Sequence, residues 1–219
     1  ELAKETVVAF RRAISELGIT APLYLTQNDG TLMSSDFAEQ YPVLTFASGP
    51  TNSMRGAAFL SGLKDAMVVD IGGTTSDVGA LAHGFPREAS VAVDIGGVRT
   101  NFRMPDVYSF GLGGGSHVQT DPLKIGPQSV GYRLTQQALI FGGDVLTTSD
   151  IAVAAGVADM GDASKVAHLS PELVEAAINR IQEMVETGVD RMKTSADAVP
   201  VIIVGGGSVL VSRTVAGAS

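Results

Sequence analysis

The amino-acid sequence predicts an α/β protein built on a mixed sheet flanked by helices. Its first half contains short apolar segments joined by tight turns, which is typical of successive strands. The second half changes character, because amphipathic helical segments there lead to a closing apolar strand, VIIV. Early strands followed by helix–strand units indicate an α/β architecture.

In the first half, one helix precedes a series of short strands. The opening segment is predicted to be a helix because four apolar residues recur at helical spacing before a glycine. These residues are Val7, Phe10, Ile14 and Leu17, and the glycine is Gly18. The next segments predict a strand (PLYLT), a loop with one helical turn (NDGTLMSSDFAEQYP), a strand ending in a tight turn (VLTFASGP) and a small-residue helix (TNSMRGAAFLSGL). Strands at residues 66–71 and 77–82, with candidates in SVAVDIGG and DVYSFGLGGG, then predict an antiparallel meander.

In the second half, helices are expected at RLTQQALIF and TSDIAVAAGVA, and Asp144 and Asp150 are expected to cap the latter. The clearest helix follows Ser170, which suits an N-cap, with Pro171 at the first helical position. Its apolar stripe has steps of three and four residues and consists of Val174, Ile178, Ile181, Val185, Val189 and Met192. The last segment, AVPVIIVGGGSVL, predicts a buried strand that enters a glycine loop.

Bulk composition excludes several classes of protein. Of the 219 residues, 45% are hydrophobic and 17% are charged, which is typical of a globular chain with a real core. The net charge of −8, without a Lys/Arg cluster, argues against a nucleic-acid partner. Because there is no cysteine, disulfides and thiolate metal sites are excluded, and a cytoplasmic location is expected. No apolar run reaches the roughly 20 residues of a membrane span, so no membrane association is expected.

The most informative stretch is MVVDIGGTTSDVGAL, in which Asp70 and Asp77 enclose a glycine- and hydroxyl-rich bend. The first glycine loop is defined as Gly72, Gly73, Thr74 and Thr75. Glycines let backbone N–H groups approach a phosphate without a Cβ in the way, and Thr74, Thr75 and Ser76 add hydroxyl donors. The two carboxylates suit Mg²⁺ held through water, and the metal offsets their repulsion of the phosphate. The alternative is a plain hairpin in which an aspartate caps its own turn.

Two further glycine runs follow apolar strands. The second glycine loop is the part of FGLGGGS that contains Gly113, Gly114 and Gly115, and the third consists of Gly205, Gly206 and Gly207 in VIIVGGGSVL. A strand, a glycine run and a helix start suit a nucleotide lying against the backbone. Taken singly, each run could equally be a packing turn, and neither a G-x-G-x-x-G spacing nor a Walker lysine is present. Three such loops in one chain favour a nucleotide site.

The order of these motifs resembles the hydantoinase/oxoprolinase family of the actin-like ATPase superfamily. VVDIGGTTSDVGAL is similar to the family's DMGGTSTDVSLI, SGPTNSMRGAAFL to SGPAGGVVGAAYL, and YSFGLGGGSHV to IGAGGGSIA. NDGTLMS, LKIGPQSVG and FGGDVLTTSDIAVAAG also resemble family segments in the same order. Two features depart from the family: RLTQQALIFGG replaces PGPACYG, and the N-terminal DVGGTFTD loop is missing.

The resemblance implies an actin-like, ribonuclease H-like lobe over residues 1–219. This lobe would carry the second phosphate hairpin and lack the first. Because the chain also starts inside a helix without Met and ends just after a glycine loop, it is expected to be an inactive fragment of a longer two-lobe protein. The implied activity is ATP-dependent opening of a cyclic amide, a hydantoin or 5-oxoproline type ring, alongside a hydantoinase B-type subunit. Mg²⁺ and ATP are the implied cofactors, with Asp70 placing Mg²⁺ or water and Asp77 supporting the metal or the hairpin.

Three alternatives remain at the level of sequence. Related subunits serve ATP-driven ketone carboxylases. A small-molecule kinase would share the phosphate loops but not the SGP and GPQSVG segments. An actin-like filament or scaffold protein would share the fold without the chemistry, because a fold does not fix a function.

Overall fold

A computed structural model describes residues 2–89, 94–95, 98–99 and 104–215 of the chain. Its α-helices are α1 (Leu2–Glu16), α2 (Ser35–Gln40), α3 (Ser48–Ser61), α4 (Leu134–Gln137), α5 (Thr148–Ala154) and α6 (Pro171–Met192). Its first strands are β1 (Tyr24–Thr26), β2 (Leu32–Ser34), β3 (Ala66–Ile71), β4 (Ser76–Ala82), β5 (Phe85–Pro86), β6 (Asp94–Ile95) and β7 (Val98–Arg99). The remaining strands are β8 (Val107–Phe110), β9 (Ser116–Thr120), β10 (Leu123–Ser129) and β11 (Val201–Val204).

The chain forms two compact units. Unit 1 comprises Glu1–Lys64 and Leu81–Asp106, and unit 2 comprises Asp65–Ala80 and Val107–Ser219. Within the described ranges, no helix combines the length and the apolar character that crossing a membrane requires.

Unit 1 is built from α1 to α3 and short antiparallel strand pairs. The strand β1 pairs with β2, β6 pairs with β7, and the end of β4 pairs with β5. One core cluster among its described residues consists of Val7, Met33 and Ala38, with Leu25 and Leu44 packed against them. Only Val7 of the stripe predicted for α1 is buried, whereas Phe10 is 57% and Leu17 is 75% exposed. The predicted helix is confirmed by α1. The apolar stripe predicted on it, however, does not form a continuous buried face within this unit.

Two predictions in this unit need correction. The strand predicted at VLTFASGP is wrong, because Pro42–Thr45 forms a 3-10 helix and α3 already begins at Ser48. A proline is tolerated in the first turn of a helix, where the missing N–H has no partner to lose, and both segments place one there. The loop predicted at NDGTLMSSDFAEQYP contains β2 and α2, which Ser34 caps through a bond to the Phe37 N–H. The candidate strand SVAVDIGG lies outside the described residues except for β6.

Unit 2 holds a mixed sheet with its core. The strand order is β11, β3, β4, with β8 on β4. β11 runs parallel to β3, and β8 runs antiparallel to β4, so the predicted mixed sheet is confirmed. The side chains of β3 are almost all apolar, and the fold buries them. Asp70, near the end of the strand, is the one partly exposed residue of β3.

The helix α6 covers this sheet as the sequence predicts. Ser170 caps it by accepting a hydrogen bond of 3.2 Å from the Leu173 N–H, and Pro171 is its first residue. The predicted stripe is the buried face from Ile178 to Met192, and Gly188 lets the helix approach Phe110 and Val78 of the sheet. Burial of such an aliphatic stripe stabilises the unit by about 1.5–3 kcal/mol for each fully buried side chain.

Candidate functional site

All three glycine loops lie in unit 2, at the same edge of its sheet. The parallel register places Val204 of β11 beside Asp70 of β3, so the loops that follow these strands start side by side. The antiparallel register pairs Ser76 of β4 with Phe110 of β8, which brings the second loop to the first. Crevices at strand ends of this kind are where α/β sheets bind ligands.

The first glycine loop is open to solvent and has unused donors. It is closed by a hydrogen bond of 2.9 Å from the Gly72 N–H to the Thr75 carbonyl. Gly73, Thr74 and Thr75 are exposed. Throughout the part of the chain that the structure describes, no acceptor is found for the N–H groups of Gly73 and Thr74. A side chain at Gly73 would meet no atom within 4 Å. The loop can therefore present backbone donors to an anion.

The second glycine loop lies behind the first and supports it. The N–H of Gly114 donates to the Gly72 carbonyl at 3.0 Å, and the N–H of Gly115 donates to the Gly73 carbonyl at 2.7 Å. A Cβ on Gly113 would lie 2.6 Å from the Gly73 carbonyl carbon and 2.7 Å from the Gly72 oxygen. These glycines are needed for close packing of two backbones. Direct contact of the second loop with a phosphate stays a prediction.

The third glycine loop packs against the end of β3. The N–H of Gly207 donates to the Ile71 carbonyl at 2.8 Å. Gly205 has a φ of +88°, and a Cβ there would collide with Asp70 Oδ1 and the Ile71 carbonyl oxygen. Gly206 is exposed, and a Cβ on it would meet nothing within 4 Å. One glycine of this loop is thus open, and its neighbours are held against Asp70 and Ile71.

Asp70 and Asp77 flank the first loop and interact electrostatically. Both are half-buried, and the Ser109 hydroxyl donates a hydrogen bond to Asp77. Burial is the main influence on the pKa of Asp77 and raises it above the ordinary value. The bond from Ser109 lowers this pKa by a smaller amount, and the Asp70 carboxylate raises it further. Two carboxylates that repel each other in this way suit a shared cation.

The two carboxylates suit a magnesium ion that takes most of its ligands from water and phosphate. Within the described ranges, no group of three or more acidic or histidine side chains could hold a metal. Mg²⁺ is commonly bound through one or two carboxylates, with water and phosphate oxygens completing its octahedron. Asp70 and Asp77 meet this requirement.

Sequence reasoning missed the hydroxyl groups that hold the second loop. Ser149 donates to the Gly114 carbonyl at 2.8 Å, and Thr148 donates to the Gly113 carbonyl. The prediction that Ser76 offers its hydroxyl to the ligand is wrong, because this hydroxyl donates to the Leu112 carbonyl at 2.8 Å inside the unit. All three residues are buried. The run TTSD at the N-cap and first turn of α5 was a usable signal, because adjacent buried hydroxyls must find acceptors. Asp150 takes the capping role predicted for it, at the third position of a capping box with Thr147. Asp144 is exposed.

The histidines add little to the site. His83 and His168 are exposed. His117 lies half-buried in β9, where it forms a bridge with Thr147.

Comparison with known proteins identifies the family. The model of the hydantoinase/oxoprolinase family matches residues 1–199. The chain is 30% identical to the acetone carboxylase beta subunit of Xanthobacter autotrophicus over 159 residues, which are 68% of this chain and 22% of that protein. It is 29% identical to the acetophenone carboxylase gamma subunit of Aromatoleum aromaticum over 130 residues, covering 56% of this chain and 18% of that protein. The chain thus spans about a fifth of the length of these curated relatives.

Two solved structures share the fold. A nucleotide-free acetone carboxylase superposes with a TM-score of 0.72 at 20% identity, covering 96% of this chain and 34% of the other. The ATP-dependent caprolactamase of Pseudomonas jessenii superposes with a TM-score of 0.65 at 20% identity, covering 93% of this chain and 33% of the other. The resemblance that the motifs indicate is confirmed, and so is the mixed α/β fold: the chain belongs to the hydantoinase/oxoprolinase family.

Proposed function

We propose that this chain is the phosphate-binding lobe of an ATP-dependent enzyme that phosphorylates the carbonyl oxygen of its substrate. The observation that carries the proposal is the convergence of three glycine loops at one sheet edge, beside two interacting carboxylates. The first loop would bind phosphate oxygens through the N–H groups of Gly73 and Thr74 and the two threonine hydroxyls. The second loop would support it, and residues 205–207 would lie along the nucleoside.

The two carboxylates have separate expected roles in this proposal. Asp70 would hold Mg²⁺ or orient a water, and Asp77 would share the cation while its bond from Ser109 fixes the hairpin. Bound Mg²⁺ would neutralise phosphate charge, which is the main requirement of phosphoryl transfer. Residues 1–219 would form one lobe, with the other phosphate hairpin supplied by a separate lobe of the parent protein.

The substrate proposed first is a cyclic amide. An amide carbonyl is a poor electrophile, so transfer of the γ-phosphoryl group to its oxygen, with release of ADP, makes the carbon open to attack. Addition of water to this carbon then expels the ring nitrogen as an amine and leaves an acyl phosphate. A second water hydrolyses the acyl phosphate to a carboxylate and inorganic phosphate. The family's description and the caprolactamase with the same fold support this choice.

A ketone carboxylase is the second candidate. Two curated relatives are named as subunits of acetone and acetophenone carboxylases, which supports a ketone carbonyl as the phosphoryl acceptor. Their names as beta and gamma subunits also support a partner subunit, which for a cyclic amidase would be of the hydantoinase B type.

The test uses the full-length protein with its partner subunit and measures ATP hydrolysis with panels of cyclic amides and of ketones plus bicarbonate. Stimulation by a cyclic amide, with ring-opened product, supports the first candidate, and stimulation by a ketone, with a carboxylated product, supports the second. Asp70→Asn should lower turnover by about 100-fold or more, which is the scale for losing one preorganised electrostatic group.

Asp190→Asn is the matched control. Asp190 is an exposed acid on α6 in the same unit, so its variant should hydrolyse ATP at the wild-type rate. Near-normal turnover by Asp70→Asn would remove Asp70 from the proposed role. Absence of ATP binding by the wild-type protein would overturn the proposed function itself.

A further inference from the structure

We infer that Thr148 and Ser149 are positioning residues, whose hydroxyl groups aim the free N–H groups of the first glycine loop at the phosphates. They act through the second glycine loop and touch no ligand themselves. This inference rests on the proposed function, because it assigns a support to the same phosphate site.

The support begins at a rigid anchor, the start of α5. Asp150 is fully buried, and its carboxylate accepts hydrogen bonds from the Ile140 N–H at 2.8 Å and from the Thr147 N–H and hydroxyl, both at 2.7 Å. Thr147 is also fully buried and is the N-cap of α5. Because the buried carboxylate accepts three hydrogen bonds, this end of the helix is well fixed.

Two adjacent hydroxyls extend from this anchor to the second glycine loop. Thr148 donates to the Gly113 carbonyl, and Ser149 donates to the Gly114 carbonyl at 2.8 Å. The backbone N–H of Ser149 also donates to the Gly114 carbonyl, at 2.9 Å. Thr148 is completely buried and Ser149 is 5% exposed, so neither bond competes with bulk water. Both carbonyls of this loop segment are therefore held from the side of α5.

The opposite side of the second loop holds the first. Gly114 and Gly115 donate to the carbonyls of Gly72 and Gly73, at 3.0 and 2.7 Å. Among the described residues, one side chain also donates a hydrogen bond to these two carbonyls: the Ser129 hydroxyl lies 3.4 Å from the Gly73 oxygen. That distance is at the long limit for a hydrogen bond, so the backbone donors dominate.

The planarity of the peptide bond means that these hydrogen bonds also fix the directions of the Gly73 and Thr74 N–H groups. In a planar trans peptide, the C=O and the following N–H point in opposite directions. Holding the Gly72 carbonyl toward the second loop therefore turns the Gly73 N–H away from it. Holding the Gly73 carbonyl does the same for the Thr74 N–H. Neither of these two N–H groups has an acceptor among the described residues. The Thr148 and Ser149 hydroxyls thus hold the second glycine loop, and the second loop fixes the direction of the proposed phosphate donors in the first.

The experiment measures nucleotide affinity of full-length variants by calorimetry, with ADP as the phosphate-bearing probe and adenosine as the probe that lacks phosphate. Thr148→Val keeps the shape of the side chain but removes its donor, and Ser149→Ala removes the other. Each should lower ADP affinity about 10-fold and leave adenosine affinity within 2-fold of wild type. Thr148→Ser restores the hydroxyl and should recover ADP affinity.

Thr187→Val is the control, because the exposed Thr187 hydroxyl donates to the Glu183 carbonyl of its own helix, α6. It should bind both probes as the wild type does. Unchanged ADP affinity in Thr148→Val and Ser149→Ala would overturn the inference while leaving the proposed function standing. An equal loss of ADP and adenosine affinity would show a general structural role and would overturn it too. A wild-type protein that binds neither probe would remove the proposed function and this inference together.

Discussion

The first and second glycine loops look alike in the sequence but occupy opposite environments. In the first, Gly73 is exposed, and a Cβ on it would find open space. In the second, Gly113 is buried, and a Cβ on it would overlap the backbone of the first loop. Glycine therefore serves two purposes at one site. At Gly73 it leaves room for a ligand, and at Gly113 it lets one loop lie directly on another.

The largest expected effect is the difference in stability between alanine variants at these two positions. Gly113→Ala should lower the free energy of unfolding by about 3 kcal/mol, because its Cβ would meet backbone atoms of residues 72–74 that cannot move aside. Gly73→Ala should change that free energy by less than about 0.5 kcal/mol, because no atom lies within 4 Å of its Cβ. Urea denaturation of the two variants and the wild type measures both values.

The same pair separates stability from binding. Under the proposed function, Gly73→Ala should weaken ADP binding while the protein remains as stable as the wild type. Equal stability of the two variants would contradict the difference between the loops. Equal ADP affinity of Gly73→Ala and wild type would remove Gly73 from the phosphate site.

The third loop contains the same contrast between neighbouring residues. Gly205→Ala should destabilise the protein by about 2 kcal/mol, because its φ of +88° is costly for a side chain and its Cβ would meet Asp70 and Ile71. Gly206→Ala, whose Cβ has open space, should leave the thermal midpoint unchanged. A Gly206→Ala variant as unstable as Gly205→Ala would show that the loop is packed on both sides.

These contrasts mark what the sequence could and could not predict. The stripe of α6 and the Ser170 cap were predictable because helical periodicity and capping are local properties. The convergence of the glycine loops was suggested only by their number and by family resemblance. Which glycine is open depends on tertiary contacts, since the Gly113 neighbours come from residues 72–74. The strand expected at VLTFASGP failed because apolar composition cannot separate a short strand from a short helix. The overlooked signals were Pro42, the first residue of the 3-10 helix, and Pro50, in the first turn of α3.

The next effect concerns the anchor behind the second loop. Asp150→Asn should cost about 2 kcal/mol of stability, because the amide cannot accept all three hydrogen bonds that the carboxylate receives. Asp162→Asn is the comparison, since Asp162 caps an exposed 3-10 helix through the Ser164 N–H and asparagine caps equally well. Thermal unfolding should show a lower midpoint only for Asp150→Asn. Similar midpoints for both variants would mean that the anchor adds no rigidity.

The smallest effect is a pH dependence at the edge of the first loop. Burial raises the pKa of Asp77 above its ordinary value of 3.8, so folding favours the protonated form. The stability that Asp77 contributes is therefore fully present below 3.8 and is lost as pH rises through the raised pKa. Asp77→Asn keeps an acceptor for Ser109 and never ionises. In metal-free buffer, its thermal midpoint should therefore exceed that of the wild type by a margin that grows with pH above 3.8.

Magnesium should reverse that margin. If Asp70 and Asp77 share the cation, added Mg²⁺ with ADP should raise the wild-type midpoint at neutral pH more than that of Asp77→Asn. The reason is that a bound cation stabilises only the ionised pair, which the variant lacks. The bound ligand would then stabilise the first glycine loop, whereas backbone contacts already stabilise the second. A margin that stays constant from acidic to neutral pH would show that Asp77 keeps its ordinary pKa, and an equal response of both proteins to Mg²⁺ would place the cation elsewhere.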